Sequence, residues 1–276
     1  MKNFIEVNKN HLEWLADRNR SKITIQTYQQ RLAVFFQTKN QINTNNIRDF
    51  LKENVNNYQP NTLKIFRYAL SSLAKFSKIA IDWERINGII PKFQRRPFST
   101  LDEQEFKQLK FTHLERNKTT YQRNNLILDF LFYTGVRVSE LVNIRGNDYH
   151  KEQLWIYGKG NKVRFVCIPP WLEKYFNHSP NYLFVNRNNK PLATLVIRQI
   201  IQQRLKSAGI KKPITPHSFR RSFATLLHNN GTKLTTIQNL LGHDSITTTE
   251  KYIQNNQQTI YDDYSKLWKN ETILTK

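Results

Sequence analysis

Between residues 89 and 98 the chain reads Ile89-Ile90-Pro91-Lys92-Phe93-Gln94-Arg95-Arg96-Pro97-Phe98. Proline lacks an amide donor and biases the residue before it toward extended backbone, so two prolines with three bases and no apolar period argue against a helix or a central strand here. The segment reads as an extended linker that can itself lie along phosphates, and it obliges the chain to fold as two units. We place a first domain at residues 1–88, the linker at 89–98 and a second domain at 99–276. In a chain of 276 residues each domain is long enough to bury its own core.

The first domain carries four runs of apolar residues at helical intervals. They are marked by Phe4, Leu12, Trp14 and Leu15; by Tyr28, Leu32, Phe35 and Phe36; by Ile47, Phe50 and Leu51; and by Leu63, Phe66, Leu70, Leu73 and Phe76. Thr24 and Asn61 are the expected N-caps of the second and fourth helices, and the third follows Asn45. The second domain opens at Ser99 or Thr100, expected to cap a helix with Asp102, Glu103 and Glu105 in its first turn, where carboxylates favour the dipole. Helix signals at 101–111 and 120–133 precede two strands at 154–157 and 163–168. Gly158-Lys159-Gly160-Asn161-Lys162 joins them as a β-hairpin. Helices resume near 171–178, 192–208, 217–229, 233–241 and 246–255, with Gly209, Gly231 and Gly242 as stops. The fold class is mainly α with a small β-sheet in the second domain.

Charge narrows the function. Forty-three Lys and Arg against 21 Asp and Glu leave a net charge of +22, which points to a polyanionic partner, nucleic acid above all. Both halves share the excess, and residues 174–243 hold 11 Lys or Arg with no Asp or Glu. A solvated basic face without a specific role is the bland alternative for that stretch. A single cysteine, Cys167, excludes an intramolecular disulfide framework and fits a reducing cytoplasm. The longest apolar stretches fall well short of the ~20 residues a membrane span requires, and the N-terminus opens no signal-peptide pattern.

Three segments combine basic side chains with backbone that approaches a phosphate. Thr134-Gly135-Val136-Arg137 places Arg137 where a glycine turn enters a helix. The hairpin tip projects Lys159 between two glycines. In Pro216-His217-Ser218-Phe219-Arg220 the i,i+3 spacing sets His217 and Arg220 on one helix face. Each alone is a weak signal, since an HxxR pair is more often a surface cluster and a GKG hairpin usually only a tight turn. Leu241-Gly242-His243 follows, with His243 23 residues after Arg220 and Tyr252 nine residues further on.

In this order the six residues Arg137, Lys159, His217, Arg220, His243 and Tyr252 resemble the catalytic signature of the tyrosine recombinases, the family of lambda integrase and the Xer resolvases. Phe219 and Arg221 depart from the usual residues inside the HxxR motif, at positions outside the six. The resemblance implies a helical SAM-like core-binding domain followed by an α+β catalytic domain. It implies a site-specific recombinase that cuts and rejoins double-stranded DNA through a covalent 3′-phosphotyrosine, with the enzyme working as a homo-tetramer on paired sites. Tyr252 would be the nucleophile, Arg137 and Arg220 the phosphate clamps, His217 an aid to proton movement, His243 a phosphate donor and Lys159 the general acid. Glu140 matches a position that often carries a supporting acid. Neither metal nor cofactor nor ATP is implied, because arginines supply the charge stabilisation and the phosphotyrosine conserves the bond. A zinc site at His217 and His243 lacks further ligands at metal-site spacing.

Two other classes stand against this reading. A DNA-binding regulator that had lost catalysis would normally show a change at one of the six positions. A type IB topoisomerase uses similar chemistry, but the small helical first domain and the spacing from His243 to Tyr252 look like the recombinases. Beyond Tyr252, Ile260, Tyr261, Tyr264, Leu267 and Trp268 form an apolar stripe that is expected to dock into a neighbouring subunit, with folding back on its own domain as the alternative.

Overall fold

The computed structural model describes residues 2–92, 98–112, 114–150, 153–157, 163–242 and Tyr264. The chain divides into two compact units, Met1–Arg96 and Pro97–Lys276.

The first unit is helical: α1 (Lys2–Asp17), α2 (Lys22–Thr38), α3 (Thr44–Glu53), α4 (Pro60–Phe76) and the single turn α5 (Glu84–Asn87). Its core is built on the α4 stripe Leu63, Phe66, Leu70 and Leu73, which meets Leu32 and Phe35 of α2, Ile47, Phe50 and Leu51 of α3, and Ile86. Two caps differ from the expectation. Ser21, not Thr24, caps α2, and its hydroxyl accepts the Thr24 amide at 3.2 Å. Helix α4 starts at Pro60 rather than Asn61, because proline at the first helical position needs no amide partner.

The second unit contains α6 (Glu103–Phe111), α7 (Lys118–Thr134), the short α8 (Val138–Leu141), strands β1 (Tyr149–His150), β2 (Gln153–Tyr157) and β3 (Val163–Val166), the turn α9 (Pro170–Glu173), α10 (Thr194–Ser207), α11 (Pro216–Asn229) and α12 (Leu234–Leu241). Here too a cap moves. Asp102 is itself the N-cap of α6, accepting the Glu105 amide at 2.8 Å while the Glu105 carboxylate accepts the Asp102 amide at 3.1 Å. That reciprocal pair satisfies two amides at once. The helix expected over 171–178 is shortened to the α9 turn.

The three strands form one antiparallel sheet in the order β1-β2-β3, with Leu154 opposite Val166 and Ile156 opposite Arg164. Strand β1 is an addition to the expected pair. The hairpin tip, including Lys159 and Lys162, lies outside the described residues, as do His243, Tyr252 and the helix expected over 246–255.

Helix α7 is the spine of this unit, buried continuously from Leu126 to Thr134. Phe106 of α6 stacks on its Phe132 at 4.0 Å between ring centroids, and Phe219 of α11 meets Phe106 edge-on at 6.4 Å. A satellite cluster under α11 and α12 gathers Cys167, Phe223, Leu227, Ile237, Leu240 and Leu241. Tyr264 belongs to it, 1% exposed, its hydroxyl donating to the Tyr133 carbonyl at 2.9 Å. At this residue the tail packs on its own domain, while the other members of the apolar stripe lie outside the described residues.

Candidate active site

Helix α7 stops at Gly135, whose φ of 62° is the left-handed conformation that glycine adopts without a Cβ penalty. The reversal buries Val136 and delivers Arg137 as the residue that opens α8. Glu140 then turns back on it. The Arg137 amide donates to Glu140 Oε2 at 2.8 Å, and Arg137 Nη1 donates to Oε1 at 2.8 Å.

Helix α11 brings the second group. Thr215 caps it, with Pro216 at its first position, so His217 falls in the first turn and Arg220 one turn on. Arg220 is buried. Its Nη1 donates to the Gly135 carbonyl at 2.7 Å and its Nη2 to the Leu241 carbonyl. The two parts of the sequence thus converge: Arg137, Ser139, Thr215, His217 and Arg220 line one open concavity of about 440 Å³ together with Arg198 of α10.

The electrostatics follow from crowded cations. Burial, then the charges of Arg137 and Arg164, pull Arg220 down to about 10, still protonated at neutral pH. Burial, then the charges of Arg221, Arg220 and Arg137, hold His217 below the ordinary imidazole value. This favours a neutral ring that is able to accept a proton. For Glu140, burial acts upward, but the hydrogen bonds and charge of Arg164 and the bonds from Arg137 outweigh it and hold the carboxyl at about 2. Burial pushes the Cys167 thiol up to about 12, so it offers no rival nucleophile at neutral pH.

Of the six residues expected from sequence, Arg137, His217 and Arg220 come together, and Lys159, His243 and Tyr252 lie outside the described residues. Two basic residues were not anticipated. Arg198 is exposed on α10 within the acid-free stretch and points to no motif. Arg164 donates to both Glu140 oxygens at 2.8 Å. Only its face was readable, since it stands two residues before Val166 on β3 and so shares the inward face of the sheet, where an arginine requires an acid; the identity of that acid was not. Among the described residues no three His, Cys, Asp or Glu side chains cluster as a metal site would need.

Two guanidiniums beside an imidazole biased toward its neutral form suit an oxyanion that gains charge as it reacts, such as a phosphodiester under attack. The sequence pattern of the Phage integrase family matches residues 99–259, more than half of the chain, and that of the phage integrase N-terminal SAM-like domain matches residues 9–82. The chain belongs to the phage integrase family of tyrosine recombinases. Tyrosine recombinase XerC of Staphylococcus aureus is 32% identical over 270 residues, covering 88% of this chain and 90% of the relative. Tyrosine recombinase XerD of Chlorobaculum tepidum is 35% identical over 179 residues, 59% of each chain. Among solved structures, a lambda integrase dimer bound to a COC′ core site superposes with a TM-score of 0.70 at 17% identity, covering 87% of this chain and 94% of that one. XerH bound to palindromic difH substrate gives 0.69 at 21% identity, covering 90% and 81%. These two share the fold of this recombinase.

Proposed function

We propose that the chain exchanges strands between two double-stranded DNA sites, with the Tyr252 phenol as nucleophile. Attack on the scissile phosphorus forms the Tyr252 O–P bond as the P–O5′ bond breaks, leaving a 3′-phosphotyrosine and a free 5′-hydroxyl. One phosphoester replaces another, so no ATP enters, and the 5′-hydroxyl of a partner strand reverses the step. Arg137 and Arg220 hold the non-bridging oxygens, whose charge rises in the five-coordinate transition state. Neutral His217 accepts the phenol proton, His243 donates a hydrogen bond to the phosphate, and Lys159 gives the leaving oxygen its proton. The helical first domain (residues 1–88) grips the duplex, the 89–98 linker follows the backbone, and four copies act on two sites in the cytoplasm, with contacts between copies made by members of the tail stripe other than Tyr264, which packs on its own domain.

The convergence of Arg137, His217 and Arg220 on one concavity supports this reading most directly. Family membership supports site-specific recombination as the reaction class. Incubating the protein with fragmented DNA from its source genome, then recovering what stays attached under denaturing conditions, tests it. The reading expects one short sequence flanked by two inverted arms. Recovery of no attached DNA, or of DNA without a common sequence, counts against it.

A further inference from the structure

Glu140 is shared by two arginines. Arg164 spans it, Nη1 to Oε1 and Nη2 to Oε2, both at 2.8 Å, while Arg137 holds Oε1 with Nη1 at 2.8 Å and Oε2 with its amide at 2.8 Å. The same arginines, with Arg220, also grip the end of α12. Arg164 Nε donates to the Leu240 carbonyl at 3.4 Å, Arg220 Nη2 to that of Leu241, and Arg137 Nη2 to that of Gly242 at 3.2 Å. Three guanidiniums thus meet three successive carbonyls at the end of α12, where a helix runs out of its own amide donors.

The three differ in what they face. The Arg137 side chain is 39% exposed and lines the concavity, whereas the Arg164 side chain is 15% exposed and does not line it. Gly242 makes room for Arg164: a Cβ added there would lie 2.6 Å from Arg164 Cδ. Only a planar fork spans both carboxylate oxygens while a further N–H reaches a carbonyl, which a lysine ammonium on its flexible stem does not reproduce.

We propose that Arg164 is a positioning residue that sets the Arg137 guanidinium for the scissile phosphate by bridging Glu140 and the end of α12, without touching DNA itself. Strand β3 thereby transmits its register to the clamp. The inference rests on Arg137 acting as a phosphate clamp in the reading above.

Arg164→Lys keeps a cation beside Glu140 and removes the bridge. Wild type, Arg164→Lys, Arg137→Ala and the double variant are compared for affinity and for the rate of covalent attachment at saturating nicked duplex carrying the trapped site. Rates are normalised to the DNA-binding fraction, so partial unfolding does not enter. Arg164→Lys is expected to bind DNA as wild type does and to attach on the order of 10²-fold more slowly, the scale of loss from a small misplacement of a catalytic group. The double variant is expected to be no slower than Arg137→Ala alone, because the two act as one unit. A wild-type rate for Arg164→Lys overturns the proposal. So does affinity that falls in step with rate, which marks a direct phosphate contact, or losses that multiply in the double variant. Absence of attachment by the wild type itself overturns the catalytic reading instead.

Discussion

Arg220 donates a 2.7 Å hydrogen bond from Nη1 to the carbonyl of Gly135, across 85 residues of sequence. The bond fastens helix α11, which carries His217, to the left-handed turn that delivers Arg137. It makes the two halves of the candidate clamp one structural unit.

Gly135→Ala is therefore expected to damage more than a turn. An L-residue at φ 62° costs about 1–2 kcal/mol, and the added Cβ would collide with the Phe223 ring. Denaturant unfolding should show a loss at or above that range, and covalent attachment should fall with it. Pairing Gly135→Ala with Phe223→Leu relieves the ring and should restore part of the stability, leaving the backbone cost.

Glu140 makes a pH prediction of definite sign. Its folded value of about 2 lies below the ordinary Glu value of about 4.3, so the unfolded chain binds the extra proton. The stability it contributes is complete above the ordinary value and is lost as pH falls from there through 2. Glu140→Gln should be less stable than wild type by on the order of 3 kcal/mol at pH 7. The gap between their unfolding free energies should narrow steadily between pH 5 and pH 2. A constant gap would mean that the carboxylate charge is not what holds the two arginines.

His217 should set the acid limb of the attachment rate. Burial and the charges of Arg221, Arg220 and Arg137 keep its imidazole below the ordinary value of about 6.5, so the neutral form persists to lower pH. Single-turnover rates from pH 5 to pH 8 should fall only below the ordinary value. Arg221→Ala should move that limb upward, since it removes one of the repelling cations.

Away from the site, fully buried Arg204 donates to Glu115 Oε1 and Oε2 at 2.9 Å, to Asn125 Oδ1 at 3.1 Å and to the Lys110 carbonyl at 2.7 Å. It ties α10 to the end of α6 and to α7. Arg204→Met strands these acceptors and should cost about 3–5 kcal/mol in denaturant unfolding. The pair Arg204→Met with Glu115→Leu should recover much of it, because both charges are then gone.

The parts legible in sequence were those with a local cause. His217 and Arg220 share a face because three residues make a turn. Helix α7 is readable from its continuous apolar run, and Gly242 ends α12 as a glycine stop should. What was not legible depends on register or on competition between neighbours. Arg164 acquires its role only when β2 and β3 pair Ile156 with Arg164, which turns the guanidinium toward Glu140. Thr24 and Ser99 are good caps in isolation, but Ser21 and Asp102 were better placed to satisfy the first amides. Strand β1 has two residues, too few for any alternation to show. Arg198 reaches the concavity through the packing of α10, which no spacing in the sequence records.

As the nucleophile proposed above, Tyr252 becomes joined to DNA while Arg137 and Arg220 hold the phosphate. A nicked duplex carrying the trapped site prevents religation and accumulates the adduct, which protease digestion and mass spectrometry assign to a residue. One DNA-linked peptide is expected, modified at Tyr252, and a Tyr252→Phe variant should bind the same duplex with unchanged affinity and form no adduct. An adduct on any other residue, or an undiminished adduct in Tyr252→Phe, would contradict that role for Tyr252.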